Sequence, residues 1–252
     1  MARAAVQRRL RWLVAEVRAF VDETPRVKTI RLACPGWEGH LAGQHIDIRL
    51  TAEDGYQAQR SYSLASPANG ARLEVTVERV EGGEVSPFLL DELRVGDRFE
   101  VRGPVGGYFV WRPGGNEPLQ LIGGGSGVVP LMAMIRAKVV SGSQQPVRLL
   151  LSARSEEDVI YRRELDDLAG GPNGVDIRYT LTRSQPQGWA GLSRRVDREM
   201  LEEVAWSPGE RPLCFVCGPT AFVESVASTL VQLGHDPGRI RTERFGPTGG
   251  TS

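Results

Sequence analysis

The hydrophobic rhythm of the chain changes once, and that change limits the fold more than any single residue does. Up to about Trp111 apolar residues alternate with polar ones in short runs: WLVAEVRAFV, RVKTIRLAC, QHIDIRLT, RSYSLAS, RLEVTVERV and DRFEVRGPV. Alternation with period two marks strands with one buried face, and turn residues separate the runs at Pro35-Gly36, Asp54-Gly55 and Asn69-Gly70. One helix is expected within this half, over residues 86–93. After the polar Pro/Gly stretch Arg112-Pro113-Gly114-Gly115-Asn116-Glu117-Pro118 the pattern becomes strand, turn, helix, repeated. The strands read PLQLIGG, VRLLLSAR, VDIRYTLTR and PLCFVCG, with helices expected over 128–140, 161–168, 197–204 and 221–233. Continuous apolar strands alternating with helices call for a parallel sheet covered on both faces. The expected architecture is β followed by α/β: an antiparallel β-barrel over residues 1–113, then a Rossmann-like parallel α/β domain over 114–252.

Composition narrows the function classes. Thirty-one basic residues balance 31 acidic ones, so bulk charge gives no reason to expect a nucleic acid or an anionic membrane as partner. The basic residues are nearly all arginine, Lys28 and Lys138 being the exceptions. The N-terminal MARAAVQRRLRWLV lacks the apolar core of a signal peptide, and no apolar run is long enough to span a bilayer. With Cys34, Cys214 and Cys217 as the only cysteines, a reducing, cytoplasmic location is expected and a disulfide scaffold is not. Three thiols cannot ligate a common iron–sulfur cluster. Cys214 and Cys217, three residues apart on a strand, point to opposite faces, so no metal site is expected.

Two glycine-rich turns carry the chemistry of the second half. Gly123-Gly124-Gly125-Ser126-Gly127 links an apolar strand to a helix, where bare backbone and the helix N-terminus suit a pyrophosphate. Cys217-Gly218-Pro219 ends another strand and opens another helix. Ligands of open α/β sheets gather at the carboxyl ends of the strands, so both turns should border one crevice. In the first half, Arg60 and Tyr62 share a strand face, the guanidinium suited to a phosphate and the ring to a flat aromatic cofactor. Four residues alone read better as an ordinary barrel strand with one surface arginine. Gly82-Gly83-Glu84-Val85-Ser86 is a second candidate anion site, with Ser86 near a helix start. His40, His45 and His235 show no partner pattern, and His45 reads as packed in its strand.

Taken in order, RSYSLAS, GGEVSPFL, GPVGGYF, GGGSGVVPLMAMI, CGPTAFV and ERFG resemble the ferredoxin–NADP reductase superfamily over nearly the whole chain. The resemblance implies that the barrel has six strands and binds FAD. In it, the segment Arg60, Ser61, Tyr62 and Ser63 lines the flavin, with Arg60 on the phosphates, Tyr62 on the isoalloxazine and Ser63 near N5. Gly83, Val85 and Ser86 hold the pyrophosphate, a stretch typical of the FAD branch. Gly124, Gly125, Ser126 and Gly127, with Cys217, Gly218 and Pro219, take the nicotinamide dinucleotide. Cys217 lies near nicotinamide C4, while Glu243 and Phe245 match an acid–x–aromatic ending whose aromatic shields the flavin. Ser63, Cys217 and Glu243 are the catalytic candidates. Phe245 stands where tyrosine is more familiar, and Gly246 to Ser252 extend past it. Arg154, Thr182 and Arg183 end strands where a 2′-phosphate would sit, favouring NADP, with NAD as the other choice.

The implied function is electron transfer from NAD(P)H through flavin to a separate protein, a ferredoxin or an oxygenase component, by a chain for which a monomer suffices. Free flavin or quinone reduction is an alternative. So is a nucleotide-binding subunit of a larger complex without turnover of its own, and the plainest alternative is a β-barrel adaptor that binds no cofactor.

Overall fold

The computed structural model describes residues 10–67, 73–169 and 174–246. The Asn69-Gly70 turn, the start of the basic N-terminal segment and the tail after Gly246 lie outside the described residues. Six antiparallel strands form the first sheet: β1 (Trp12–Thr24), β2 (Val27–Ala33), β3 (His45–Thr51), β4 (Gln57–Ser63), β5 (Leu73–Glu78) and β6 (Arg98–Val105). Their spatial order is β4-β3-β6-β1-β2-β5. A bridge between Leu64 and Val75 joins the two ends, and the Ala65 N–H donates to the Glu74 carbonyl at 2.8 Å. That closure makes the sheet a barrel and removes its free edges. Alternating residues fill the interior, among them Ile30, Ile46, Ile48, Leu64, Val75 and Val101.

The expected helix between β5 and β6 is less regular than its sequence suggests. A three-residue α-turn, α1 (Val85–Pro87), runs directly into a π-helical turn over Phe88–Glu92. Pro87 is in the first turn, where a missing N–H costs no helical bond, and the Leu93 N–H closes the wider turn on the Phe88 carbonyl. Val85 and Leu89 are buried against the barrel interior.

The second half is a parallel sheet of β7 (Leu119–Gly124), β8 (Val147–Ala153), β9 (Val175–Leu181), β10 (Leu213–Pro219) and β11 (Ile240–Phe245), ordered β11-β10-β7-β8-β9. Helices α2 (Val128–Ser141), α3 (Arg162–Ala169), α4 (Arg198–Val204) and α5 (Thr220–Gln232) connect the strands. The order reverses beside β7, so β7 and β10 flank the switch point where such sheets bind ligands. Strand β11 was not foreseen as a strand. Its segment, IRTERF, is mostly polar and half-buried, so it carries neither a clean alternation nor an apolar run.

One core crosses the boundary between the halves. Ala42, Ala65, Phe109 and Trp111 from the barrel side pack with Leu121, Met134, Tyr161 and Phe215. Phe109 and Phe215 meet edge to face, with ring centroids 5.1 Å apart at 88°. Arg241 donates to the Val110 carbonyl at 2.5 Å, and Tyr108 donates to that of Ile240 at 3.1 Å. Among the described residues no helix is long and apolar enough to cross a membrane.

Phe215 is fully buried at this seam. Phe215→Ala is expected to destabilise the protein by about 3–5 kcal/mol, lowering its urea midpoint. Val80→Ala, at an exposed valine, should leave the midpoint within error.

Candidate active site

The carboxyl ends of β7 and β10 face the end of β4 across the seam, and the candidates Ser63, Cys217 and Glu243 gather there. Their meeting depends on one close approach. A Cβ added at Gly127 would lie 2.1 Å from the Cys217 carbonyl oxygen and 2.7 Å from the Gly218 nitrogen. Only glycine lets the start of α2 come down onto the turn that ends β10. Gly125, at φ +54°, leaves open space where a side chain would stand, so backbone is exposed to the crevice beside the α2 N-terminus. The two glycine-rich turns therefore lie against one another at the carboxyl ends of β7 and β10.

On β10 the two cysteines separate by face. Cys217 joins the core shared with the barrel, Cys214 the core on the opposite side, and both are free thiols. No group of three or more His, Cys, Asp or Glu among the described residues could hold a metal ion. Register pairs Cys217 with Glu243 of β11 and Pro219 with Phe245. The Cys217 thiol points to the Glu243 carboxyl, with Sγ 3.9 Å from Oε2. Burial raises the Cys217 pKa well above the ordinary thiol value, and the neighbouring Glu243 adds to the effect. Glu243 is itself pushed up to about 7, again by burial, with the contact from Cys217 opposing. Phe245 is half-buried against the shared core.

The barrel supplies a group that reading the sequence missed. His45 of β3 stands directly opposite Ser63 of β4 in the ladder, and its Nδ1 lies 3.9 Å from Glu243 Oε1. Ser63, His45, Glu243 and Cys217 thus form one cluster drawn from both sheets. Burial lowers the His45 pKa, with Asp47 opposing, and raises that of Glu243 to about 7, so near neutral pH a neutral imidazole faces a partly protonated carboxyl. At 3.9 Å the two do not hydrogen-bond directly, but one water spans such a gap. The available signal was cross-strand register, which places GQHIDIRL against RSYS, and no local pattern reveals that.

Strand β4 sorts its side chains by face. Tyr62 is half-buried over the barrel, and burial pushes its pKa up to about 12, so the phenol stays neutral. Arg60 is exposed, and its guanidinium donates to the Gln59 carbonyl of its own strand. Ser61 points the other way. Its hydroxyl donates to Asp47 at 2.7 Å, and Asp47 is also paired with Arg102, so the Ser61 side chain serves the outer barrel face instead of sharing the face of Tyr62.

The second anion candidate keeps one free donor. Ser86 is buried, and its Oγ accepts the Val80 N–H at 3.0 Å, which leaves the hydroxyl hydrogen to donate. The Gly83 N–H is spent on the Val80 carbonyl at 3.0 Å. Gly83 thus shapes the turn, and the Val85 side chain lies in the barrel core. This arrangement fits a phosphate held by Arg60 and Ser86. At the far edge, Arg154 and Arg183 are exposed and, among the described residues, form no ion pair. The Arg183 N–H donates to the Arg154 carbonyl at 2.8 Å, bringing the ends of β8 and β9 together. The Thr182 hydroxyl donates to Ala153 at 3.1 Å.

Comparison with known proteins gives two domain matches. Residues 18–110 match the oxidoreductase FAD-binding domain and residues 121–228 the oxidoreductase NAD-binding domain. The chain is 35% identical to ferredoxin–NADP reductase B of Sorangium cellulosum, covering 81% of this chain and 84% of that protein. It is 34% identical to the glycine betaine monooxygenase reductase subunit of Pseudomonas aeruginosa over 82% of this chain, yet spans only 56% of that relative. Among solved structures, the cytochrome P450 reductase of Amycolatopsis superposes with a TM-score of 0.83 at 29% identity, over 96% of this chain and 72% of that one.

The raised pKa of Glu243 has a defined stability consequence. Folding favours the protonated acid, so its contribution is complete below pH 4.5 and is lost as pH rises through about 7. Glu243→Gln is therefore expected to become progressively more stable than the wild type across that window. The difference should reach about 3 kcal/mol by pH 8, at ~1.36 kcal/mol per pKa unit. Urea titrations from pH 4 to 8 measure it, and a pH-independent difference would rule out the buried-acid assignment.

Proposed function

The chain belongs to the ferredoxin–NADP reductase superfamily, and on that premise we propose that it takes reducing equivalents from NADPH, in preference to NADH, and passes electrons through FAD to a separate protein. The observation that carries this reading is the cluster of Ser63, His45, Glu243 and Cys217 where the flavin strand meets the ends of the nucleotide-binding strands. The division is drawn at residue 113, with FAD on the barrel and the nicotinamide dinucleotide on residues 114–252. Bound FAD supplies the conversion between two-electron donors and one-electron acceptors.

The chain's own residues bind, orient and exclude water. Arg60 and the Ser86 hydroxyl hold the flavin phosphates, supported by the turn at Gly83 and Val85. Tyr62 packs on the ring, and the backbone of Ser61 continues that strand. Gly124, Gly125, Ser126 and Gly127 offer the N-terminal end of α2 to the dinucleotide pyrophosphate. Cys217, Gly218 and Pro219 form the floor for the nicotinamide, and Phe245 is the aromatic cover at its edge. Ser63 orients the flavin edge. Glu243, titrating near neutrality, holds a proton that His45 can exchange with solvent through water.

The preference for NADPH rests on Arg154 and Arg183, cations without acidic partners among the described residues at adjacent strand ends, with Thr182 beside them. The acceptor is proposed to be a ferredoxin or an oxygenase component, the chemistry named for the Sorangium and Pseudomonas relatives. The protein is read as a cytoplasmic monomer.

Anaerobic mixing of the purified flavoprotein with each nicotinamide tests the reading. NADPH should bleach the flavin rapidly and NADH more slowly. Arg154→Ala and Arg183→Ala should each raise the KM for NADPH about tenfold or more, the loss of a charge-assisted contact, with little change for NADH. A flavin that neither nucleotide bleaches would favour a docking subunit without turnover, and a protein purified without flavin would favour the adaptor.

A further inference from the structure

Helix α2 joins the two cofactor sites mechanically. Its first turn packs on Cys217 at the nucleotide crevice. Arg136 lies two turns further on, about 12 Å along the axis, and there reaches across the seam. Its Nη1 donates to the Ala65 carbonyl at 2.8 Å, and Ala65 is two residues beyond Ser63 on the flavin strand. The same guanidinium holds Glu164 of α3 with two bonds, of 2.9 and 2.6 Å, and lies 3.6 Å from Glu74 of β5.

The surroundings fix this fork in place. The Arg136 side chain is 16% exposed, and its guanidinium carbon sits 4.8 Å from the centre of the Tyr161 ring. Tyr161 is buried at φ +61°, a conformation that costs a non-glycine residue about 1 kcal/mol or more. Its hydroxyl meets Thr76 of β5 across the seam. Thr76 meets Thr29 at 2.8 Å, and Thr29 donates to Glu23 at 2.6 Å. The segment that Arg136 grips cannot shift by itself, because the Leu64 N–H is held by the Gln44 carbonyl and the Ala65 N–H by that of Glu74.

We infer that Arg136 is a positioning residue for transfer between the two cofactors, setting the nucleotide turn of α2 against the flavin strand through the Ala65 carbonyl. The inference rests on the proposed function for which cofactor lies at each end. A buried ion pair is a weak source of stability compared with apolar packing, whereas a planar fork that spans Glu164 and Ala65 together fixes an orientation. Misplacing reacting groups by about 1 Å costs on the order of 100-fold in rate. Lysine keeps the charge but cannot span both partners.

The test compares the wild type with Arg136→Lys and Arg136→Met, and with Met132→Ala as a core-cavity control on the same helix. Amide exchange is measured on the purified protein without added nucleotide, and single-turnover flavin bleaching at saturating NADPH. In Arg136→Lys the amides of Leu64 and Ala65 should exchange at least tenfold faster. Bleaching should slow at least tenfold while the NADPH Kd stays within threefold. Met132→Ala should show neither effect selectively. Should Arg136→Met fail to fold, the lysine variant decides. Wild-type exchange and bleaching in Arg136→Lys, or the same losses in Met132→Ala, would overturn the inference. A wild-type flavin that NADPH does not bleach would instead refute the proposed function, and the exchange measurement would still judge the coupling.

Discussion

No side chain fits between Gly127 and the carbonyl of Cys217, and the geometry of the crevice follows from that contact. It brings the start of α2 onto the end of β10. Because β11 pairs in register with β10, it also fixes where Glu243 stands relative to Cys217. Arg241 and Tyr108 then fasten β11 and the connection after β6 to one another. A carboxyl from the last strand thereby reaches a histidine of the barrel without any loop having to carry it. Groups placed on strands and helix termini are held more precisely than groups on loops.

The seam is apolar around Phe109 and Phe215 and polar on both sides. The polar groups on the α2 side are satisfied in full view of one another: Arg136 by Ala65 and Glu164, Tyr161 by Thr76, Thr29 by Glu23. Burying such groups unpaired would cost several kcal/mol, so this side fixes a single relative placement of the two halves. The crevice side differs. Among the described residues Glu243 has a thiol at 3.9 Å and a histidine at 3.9 Å, and none of the described arginines or lysines pairs with it. The result is a carboxyl whose proton leaves near neutral pH, which is where a group that exchanges protons is useful. Rigidity on one side of the seam and incomplete satisfaction on the other are complementary. The first holds the position and the second leaves the chemistry free.

Much of this was legible before any coordinates. The change of hydrophobic period gave both sheets, and ten of the eleven strands follow runs visible in the sequence. Strand β11 was hidden because IRTERF has no apolar run, its place being set by pairing with β10. The turn after Val85 was legible as helix but not as π-helix, since the choice between the two turns at Phe88–Glu92 is made by packing and not by the local pattern. Ser63, Cys217 and Glu243 were legible through motifs. His45 was not, because its neighbours come from register across β3 and β4 and from a strand almost 200 residues away. Likewise the contact between Tyr161 and Thr76 spans 85 residues and leaves no trace in either local pattern. Ser61 was grouped with its strand neighbours, but alternation turns its hydroxyl toward Asp47.

Arginine abundance concealed a further distinction. An arginine in this sequence carries little information by itself, since nearly every basic residue is one. The structure divides them by partner. Arg49, Arg102, Arg136, Arg162, Arg194 and Arg244 are each held by carboxylates, and a paired guanidinium must give up its partner before it can meet a phosphate. Arg60, Arg154 and Arg183 form no ion pair among the described residues. Lack of a partner does not make a binding site, for Arg163 on α3 and Arg195 before α4 have none either. Position supplies the second condition. Arg60 lies on β4, the strand proposed to line the flavin, and Arg154 and Arg183 lie at the carboxyl ends of β8 and β9, where an α/β sheet presents its ligand edge. A guanidinium in such a place has no salt bridge to give up, so a charge-assisted contact made there would add to binding without that loss.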